Sequence, residues 1–258
     1  MRDMTYRYVS SERTDDIATI TMNRPERRNA LSLDHIEELI QALEQAGASD
    51  ARAVVLAGAG PTFCAGHDFA DMVERDLGGF RRLFARCAFM MSTLQRIPQP
   101  VVARVQGLAT GAGCQLVATA DLAVAAEGAR FATPGGKGGW FCTTPMVAVS
   151  RAIGRKRALE MLLTGDEIDA ATAADWGFVN RVVPTERLAE EAAALARRAS
   201  RGSTFSKGVG KQAFYAQIDM DQPQAYAYAS EVMTMTALGP DGHEAIAAFH
   251  EKRTPEFR

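Results

Sequence analysis

The chain lacks most of the features that would give its chemistry away cheaply. It has no CxxC pair: Cys64, Cys87, Cys114 and Cys142 are scattered, which excludes a cysteine-framed zinc site and reads as free thiols in a reducing compartment. Its four histidines form no HExxH or similar cluster, so no metal is expected. There is no basic surplus, with 29 Lys and Arg against 31 Asp and Glu, and hence no expectation of a nucleic-acid partner. No apolar run reaches the ~20 residues that a membrane span needs, so no membrane partner is expected. The opening MRDMTYRYVS has neither an apolar signal core nor an Arg- and Ser-rich amphipathic stretch. No leader peptide is expected on that ground, and the cytoplasm is the expected location.

What is present is the composition of a soluble globular protein, 47% hydrophobic and 23% charged over 258 residues, long enough to bury a sizeable core. Ile17 to Met22 alternates apolar residues with Thr, as a strand does. Leu33, Ile36, Leu39, Ile40 and Leu43 then recur at helical spacing behind Ser32, a good N-cap. Ala53 to Ala57 reads as a short buried strand. A long helix follows with Phe80, Leu83, Phe84, Cys87, Met90, Met91, Leu94 and Ile97 on one stripe, and Pro98 and Pro100 end it. Strands are expected again at Val101 to Val105, Leu122 to Ala126 and Phe178 to Val183. Helices are expected at 146–153, 157–163, 170–176 and 186–200. Beyond Arg201-Gly202-Ser203 only helices are expected, broken at Pro223 and Gly239-Pro240. The order predicts an α/β core over residues 1–200 and a helical annex over 201–258.

Two stretches have the makings of a site. Phe63-Cys64-Ala65-Gly66-His67-Asp68-Phe69 and Gly107 to Leu116 (GLATGAGCQL) each place glycines and small residues after a buried strand, where a helix should begin. Small residues let a ligand approach the backbone, and a helix start carries free N–H groups. Two such groups aimed at one point make an oxyanion hole, worth ~10²–10³ in rate per donor. A dinucleotide site fits less well, because Gly111-Ala112-Gly113 is followed by Cys-Gln-Leu and lacks the third glycine of GxGxxG. A P-loop is excluded, since neither turn is followed by Gly-Lys-Ser/Thr.

Taken together, the motifs resemble one family. Asn23-Arg24-Pro25 with Asn29-Ala30-Leu31, FCAGHDFADM (63–72), VQGLATGAGCQLVATADLAVA (105–125), FATPG (131–135), RAIGRKRALEMLLTGDEIDAATAADWGFVNRVV (151–183) and AIAAFHEKR (245–253) are similar, in order, to the signatures of the crotonase, or enoyl-CoA hydratase/isomerase, superfamily. The resemblance implies a spiral of strand–strand–helix units and a helical C-terminal domain that forms trimers, often paired into hexamers. It implies an acyl-CoA thioester as substrate, with coenzyme A part of that substrate and no separate cofactor. The oxyanion donors would be the backbone N–H groups of His67 and Ala112. Arg24, Arg27 or Arg28 would lie near the CoA phosphates, and Phe249 and Lys252 would flank its adenine–ribose end from a neighbouring subunit. Ala65, Gly66, Asp68, Gly111 and Trp140 complete the expected substrate-binding set, with Asp68 also read as the cap of the helix that follows.

The family's proton-transfer pattern is where this chain departs. Hydratases of this kind use two glutamates, one taking a proton from water while the other delivers one to carbon. Gln115 stands at the first position and Gly135 at the second. A glutamine can hold water but cannot exchange protons near neutral pH, so ordinary hydration is not expected. Gln115→Glu with Gly135→Glu is expected to restore some of it. The loop Gly136 to Cys142 (GKGGWFC) offers a lysine and a thiol, read as solvated and packed respectively. The same stretch also resembles dihydroxynaphthoyl-CoA synthases, in which a bound bicarbonate replaces the missing carboxylate. Where those enzymes have a downstream Asp, this chain has Cys142. A non-catalytic acyl-CoA-binding scaffold is the remaining alternative.

Overall fold

A computed structural model describes residues 6–257; residues 1–5, on which part of the leader-peptide expectation rests, lie outside it. The core is a six-stranded sheet in the order β1-β2-β3-β4-β6-β9, made of β1 (Val9–Thr14), β2 (Ile17–Met22), β3 (Ala53–Gly58), β4 (Val101–Val105), β6 (Leu122–Ala126) and β9 (Arg181–Val183). β1 pairs antiparallel with β2, and every other pair is parallel. A parallel sheet needs both faces covered, and the central strands divide their side chains accordingly. Val54, Leu56, Val101, Ala103, Val105, Ala123 and Ala125 enter the main core. Their neighbours Ala53, Val55, Val102, Val124 and Ala126 face Leu188, Ala192, Leu195 and Ala196 of α7 (Leu188–Ala199). This period of two lets short, largely apolar strands serve two layers.

The main core is closed by α1 (Leu33–Gly47) and α2 (Leu77–Arg96), which pack on one another. Ser32 caps α1, its hydroxyl accepting from the His35 N–H. α2 ends at Arg96 with Ile97 as its C-cap, and Pro98-Gln99-Pro100 then leads the chain into β4. A second, three-stranded sheet, β5 (Leu108–Thr110), β7 (Arg130–Ala132) and β8 (Ile168–Asp169), lies against the start of α3 (Ala112–Thr119). α4 (Pro145–Ile153), α5 (Arg155–Thr164) and α6 (Ala170–Asp175) complete this part.

The chain ends in α8 (Thr204–Gln217), α9 (Gln222–Ala237) and α10 (Pro240–Glu251). α8 is tied to the core by a buried polar knot. Lys211 Nζ lies 2.7 Å from Asp121 and donates to the Leu94 and Gln99 carbonyls at 2.7 and 2.8 Å. The same carboxylate accepts from Tyr215 Oη at 2.8 Å and from the Val101 N–H at 2.6 Å. Tyr215 is thus turned inward by its hydroxyl and is half-buried. α9 has no buried residue. Pro223 and Pro240 open α9 and α10, a place where the missing N–H costs nothing.

Candidate active site

The segment 63–68 runs between two partners. On one side Cys64 pairs with β5: its N–H donates to the Leu108 carbonyl at 3.2 Å, and its carbonyl accepts from Thr110 at 3.0 Å. On the other side His67 bridges Leu31, whose N–H donates to the Gly66 carbonyl at 2.8 Å and whose carbonyl accepts from Asp68 at 3.0 Å. In a parallel bridge of this kind the flanking residues make the bonds, so the His67 N–H itself points away from Leu31. Ala112 is the first residue of α3, where an N–H has no partner within the helix.

The two backbones meet closely. Gly66 has φ +85°, and a Cβ there would lie 2.9 Å from the Thr110 carbonyl oxygen and 3.3 Å from the Ala112 nitrogen. A Cβ on Gly113 would fall 2.2 Å from the Cys64 carbonyl oxygen. Only glycines permit this approach, which is why the two small-residue stretches come together. Both His67 and Ala112 border a cavity of about 520 Å³. Its walls include Phe69, Phe84, Gly135, Trp140, Phe141 and Cys142, and its size suits a drug-sized ligand.

No carboxylate is among the residues lining this cavity; its titratable side chains are His67, Lys137 and Cys142. Burial pushes the His67 imidazole below its usual range, partly offset by the Leu31 carbonyl and the Asp71 carboxylate, and neither ring nitrogen has a well-formed hydrogen bond. Burial pushes the Cys142 thiol up, against a nearby Gly135 backbone group, and Lys137 is paired with Asp166. A shallower groove of about 370 Å³ shares Ala65, His67 and Phe69 with the cavity and carries Arg27 and Arg28. Among the described residues no cluster could hold a metal ion, and no helix is long and apolar enough to cross a membrane.

Residues 12–258 match the enoyl-CoA hydratase/isomerase family. The chain belongs to that family. Among its relatives is the rat enoyl-CoA hydratase domain-containing protein 3, mitochondrial, 41% identical over 251 residues, with 96% of this chain and 84% of the relative aligned. The 2,3-dehydroadipyl-CoA hydratase of Escherichia coli K12 is 34% identical, with 95% and 96% aligned. Among solved structures, an enoyl-CoA hydratase from Mycobacterium smegmatis superposes with a TM-score of 0.93 at 44% identity, covering 97% of this chain and 98% of that one. The human enoyl Coenzyme A hydratase domain-containing protein 3 gives the same TM-score at 39% identity, covering 97% and 100%. The crotonase fold is thus established, helical C-terminal region included.

Within this family member several expected site residues do other work. Asp68 is buried, accepting from Arg24 and Arg27 at 3.1 Å each and from the Ala70 N–H at 3.1 Å. It caps the short turn Phe69–Asp71, and three of its hydrogen bonds are made within the fold. Arg24 is equally committed: it also donates to the Ala30 carbonyl at 3.1 Å and stacks 4.6 Å over the Tyr8 ring. The cap read for Asp68 is therefore present, Arg24 is held within the fold, and Arg27 and Arg28 are left on the groove. Gln115 is buried one turn behind Gly111, outside the cavity lining, with its Oε1 unpartnered. Phe249 and Lys252 do not line this chain's cavity.

Gly135 brings the sharpest correction. A Cβ there would lie 2.1 Å from the Trp140 carbonyl oxygen and 2.8 Å from the Cys142 sulfur. The loop has folded into the space beside Gly135, anchored by the Trp140 N–H donating to the Gly135 carbonyl at 2.8 Å. A glutamate there would require the loop to open, which stands against the expected rescue of hydration. Sequence reasoning missed Phe69 and Phe84 as wall residues. Phe84 was absorbed into the α2 core stripe, and only its i,i+4 spacing from Phe80 hinted at a second aromatic edge.

Proposed function

We propose that this chain binds an acyl-CoA thioester and stabilises the enolate-like oxyanion of its carbonyl with the His67 and Ala112 backbone N–H groups, without a hydratase's carboxylate pair. The observation that carries this reading is the meeting of those two backbone segments along the lining of an apolar cavity. Oriented donors in a dry site stabilise charge that develops during reaction. Family membership supports the thioester, and Arg27 and Arg28 on the adjoining groove suit its phosphates. Phe249 and Lys252 would meet the adenine end of a CoA bound to a neighbouring copy in a trimer or hexamer. The cytoplasm, drawn from the sequence, is the proposed location; the rat relative's name places that protein in mitochondria, and cell fractionation decides for this one.

A second reading, an acyl-CoA-binding scaffold without turnover, is favoured by the absence of a carboxylate among the cavity-lining residues. The bicarbonate-assisted alternative gains nothing, because the Trp140 carbonyl and the Cys142 sulfur fill the space immediately beside Gly135. One experiment separates the first two. Enolate formation exchanges the α-protons of an acyl-CoA with deuterated solvent, which proton NMR reads whatever the final reaction is. The wild type is expected to bind CoA thioesters and exchange those protons. Ala112→Pro removes one donor at a helix position that tolerates proline and should lower exchange ~10²-fold or more. Binding without exchange would select the scaffold; full exchange in Ala112→Pro would remove the oxyanion hole from the account.

A further inference from the structure

Part of the cavity wall is aromatic, and its rings pack on one another. Trp140 meets Phe84 edge-on at 5.6 Å between ring centroids, Phe80 edge-on at 6.2 Å, and Phe69 at 6.3 Å. Phe80 stacks on Phe84 at 6.0 Å, and Phe84 meets the His67 ring edge-on at 5.5 Å. The aromatic series thus begins at the residue whose backbone N–H is one of the two oxyanion donors. It ends at Trp140 and Phe69, which are 46% and 71% exposed. Adjoining aromatic surface left open at the mouth of a pocket is what a ligand covers.

The wall depends on Gly135. Because residue 135 has no Cβ, the Trp140 carbonyl can sit where one would be, and the Trp140 N–H closes back onto the Gly135 carbonyl. That closure sets the indole against Phe69 and Phe84. The place of a side chain that could move protons has been given to a loop that presents rings. Fixed rings at mixed edge and face angles favour a planar π-system, which can meet one ring by its face and another by its edge; a flexible alkyl chain gains only area from them.

We infer that the acyl group this site selects carries an aromatic ring close to the thioester, with Trp140 and Phe84 as the specificity-determining residues. The inference rests on the acyl-CoA reading above. Three 2-enoyl thioesters test it by isothermal titration calorimetry on the intact chain: crotonyl-CoA, cinnamoyl-CoA, which has a phenyl in place of the methyl, and trans-2-nonenoyl-CoA, which matches cinnamoyl in carbon number. Cinnamoyl-CoA is expected to bind about tenfold more tightly than crotonyl-CoA, the upper range of one good aromatic contact, and more tightly than 2-nonenoyl-CoA. Trp140→Leu, which keeps apolar bulk and removes the π-face, should bring the cinnamoyl-to-nonenoyl ratio close to one. Phe84→Leu should move the same ratio in the same direction, and serves alone should Trp140→Leu not fold. Cinnamoyl-CoA within threefold of crotonyl-CoA, 2-nonenoyl-CoA binding as tightly as cinnamoyl-CoA, or a preference that survives in the folded variants would each overturn the aromatic assignment. Failure of every thioester and of free CoA to bind would overturn the acyl-CoA reading beneath it.

Discussion

His35 should make this protein lose stability in mild acid, and the amount can be worked out. The side chain is fully buried in the first turn of α1. Its Nδ1 donates to the Ala30 carbonyl at 3.1 Å, while Nε2 has no partner. Burial holds its pKa at about 4, with the Ala30 bond and Asp68 opposing that shift and Arg24 adding to it. The ordinary histidine value is ~6.5. Between those two values the unfolded chain binds a proton that the folded chain refuses. Stability is therefore greatest above the unfolded pKa and falls as the pH drops toward the folded one. From pH 7.5 to 5.0 the linkage relation gives a loss of about 2 kcal/mol. In a chain of this size that corresponds to about 4–8 °C in Tm.

Other groups titrate over the same range, so the variant His35→Leu supplies the reference. Removing the ring also removes the orphaned Nε2, and the Ala30 carbonyl keeps its second donor, Arg24 Nη1 at 3.1 Å. At pH 7.5 the variant should thus lie within about 1 kcal/mol of wild type. Thermal unfolding of both proteins, at one protein concentration and several pH values, should give curves that converge or cross as the pH falls. The wild type should lose about 4–8 °C more than the variant. Parallel curves would refute the assignment of a buried neutral imidazole.

Three further outcomes are expected. Gln115→Glu/Gly135→Glu should gain no crotonyl-CoA hydration, read by enoyl absorbance, and should unfold earlier than wild type, since overpacking against backbone costs about 1–3 kcal/mol or more; a clear gain in rate would show that the loop opens easily. Lys211→Met strands the buried Asp121 carboxylate and should lower stability by about 3–5 kcal/mol, or about 6–20 °C in Tm, and a change under about 2 °C would mean that the knot does not hold α8. Light scattering at micromolar concentration should find an oligomer, because Met233 and Phe249 are 75% and 84% exposed in the single chain; a monomer would contradict that.

Much of the fold was legible because its central strands are buried on both faces. AVVLA, VVARV and LAVAA are short apolar runs between breakers, and the described β3, β4 and β6 fall on them. The long helices were legible from their spacing. β1 was not, since VSSERT is largely polar and forms an edge strand that pairs on one side only. β5, β7 and β8 have three, three and two residues, too few for any period to register, and they exist because α3 and the 63–68 segment pack beside them. The strand expected over Phe178 to Val183 shrinks to β9. Phe178 and Val179 are instead bonded back to the Ala173 carbonyl as the chain leaves α6.

The site divides the same way, between what one residue dictates and what its neighbours decide. Glycines at 66 and 113 mark close backbone approach, so the meeting of the two turns could be read from the chain. The partnership of Arg24 with Asp68 could not, because nothing in either residue alone points to the other. They are partners across 44 positions, a pairing that only the folded bridge between Leu31 and His67 creates. Gly135 is the instructive case. In sequence it is a loss, the removal of a carboxylate that hydration needs. In the fold it is a requirement, because the Trp140 carbonyl and the Cys142 sulfur occupy the volume that any side chain would take. A deleted acid leaves a pocket that the same acid could refill; a glycine enclosed by its own loop belongs to a rebuilt wall. The proton chemistry of this protein should therefore be sought among groups that the rebuilt wall presents, and its substrate among acyl groups that an indole and a phenyl ring can hold.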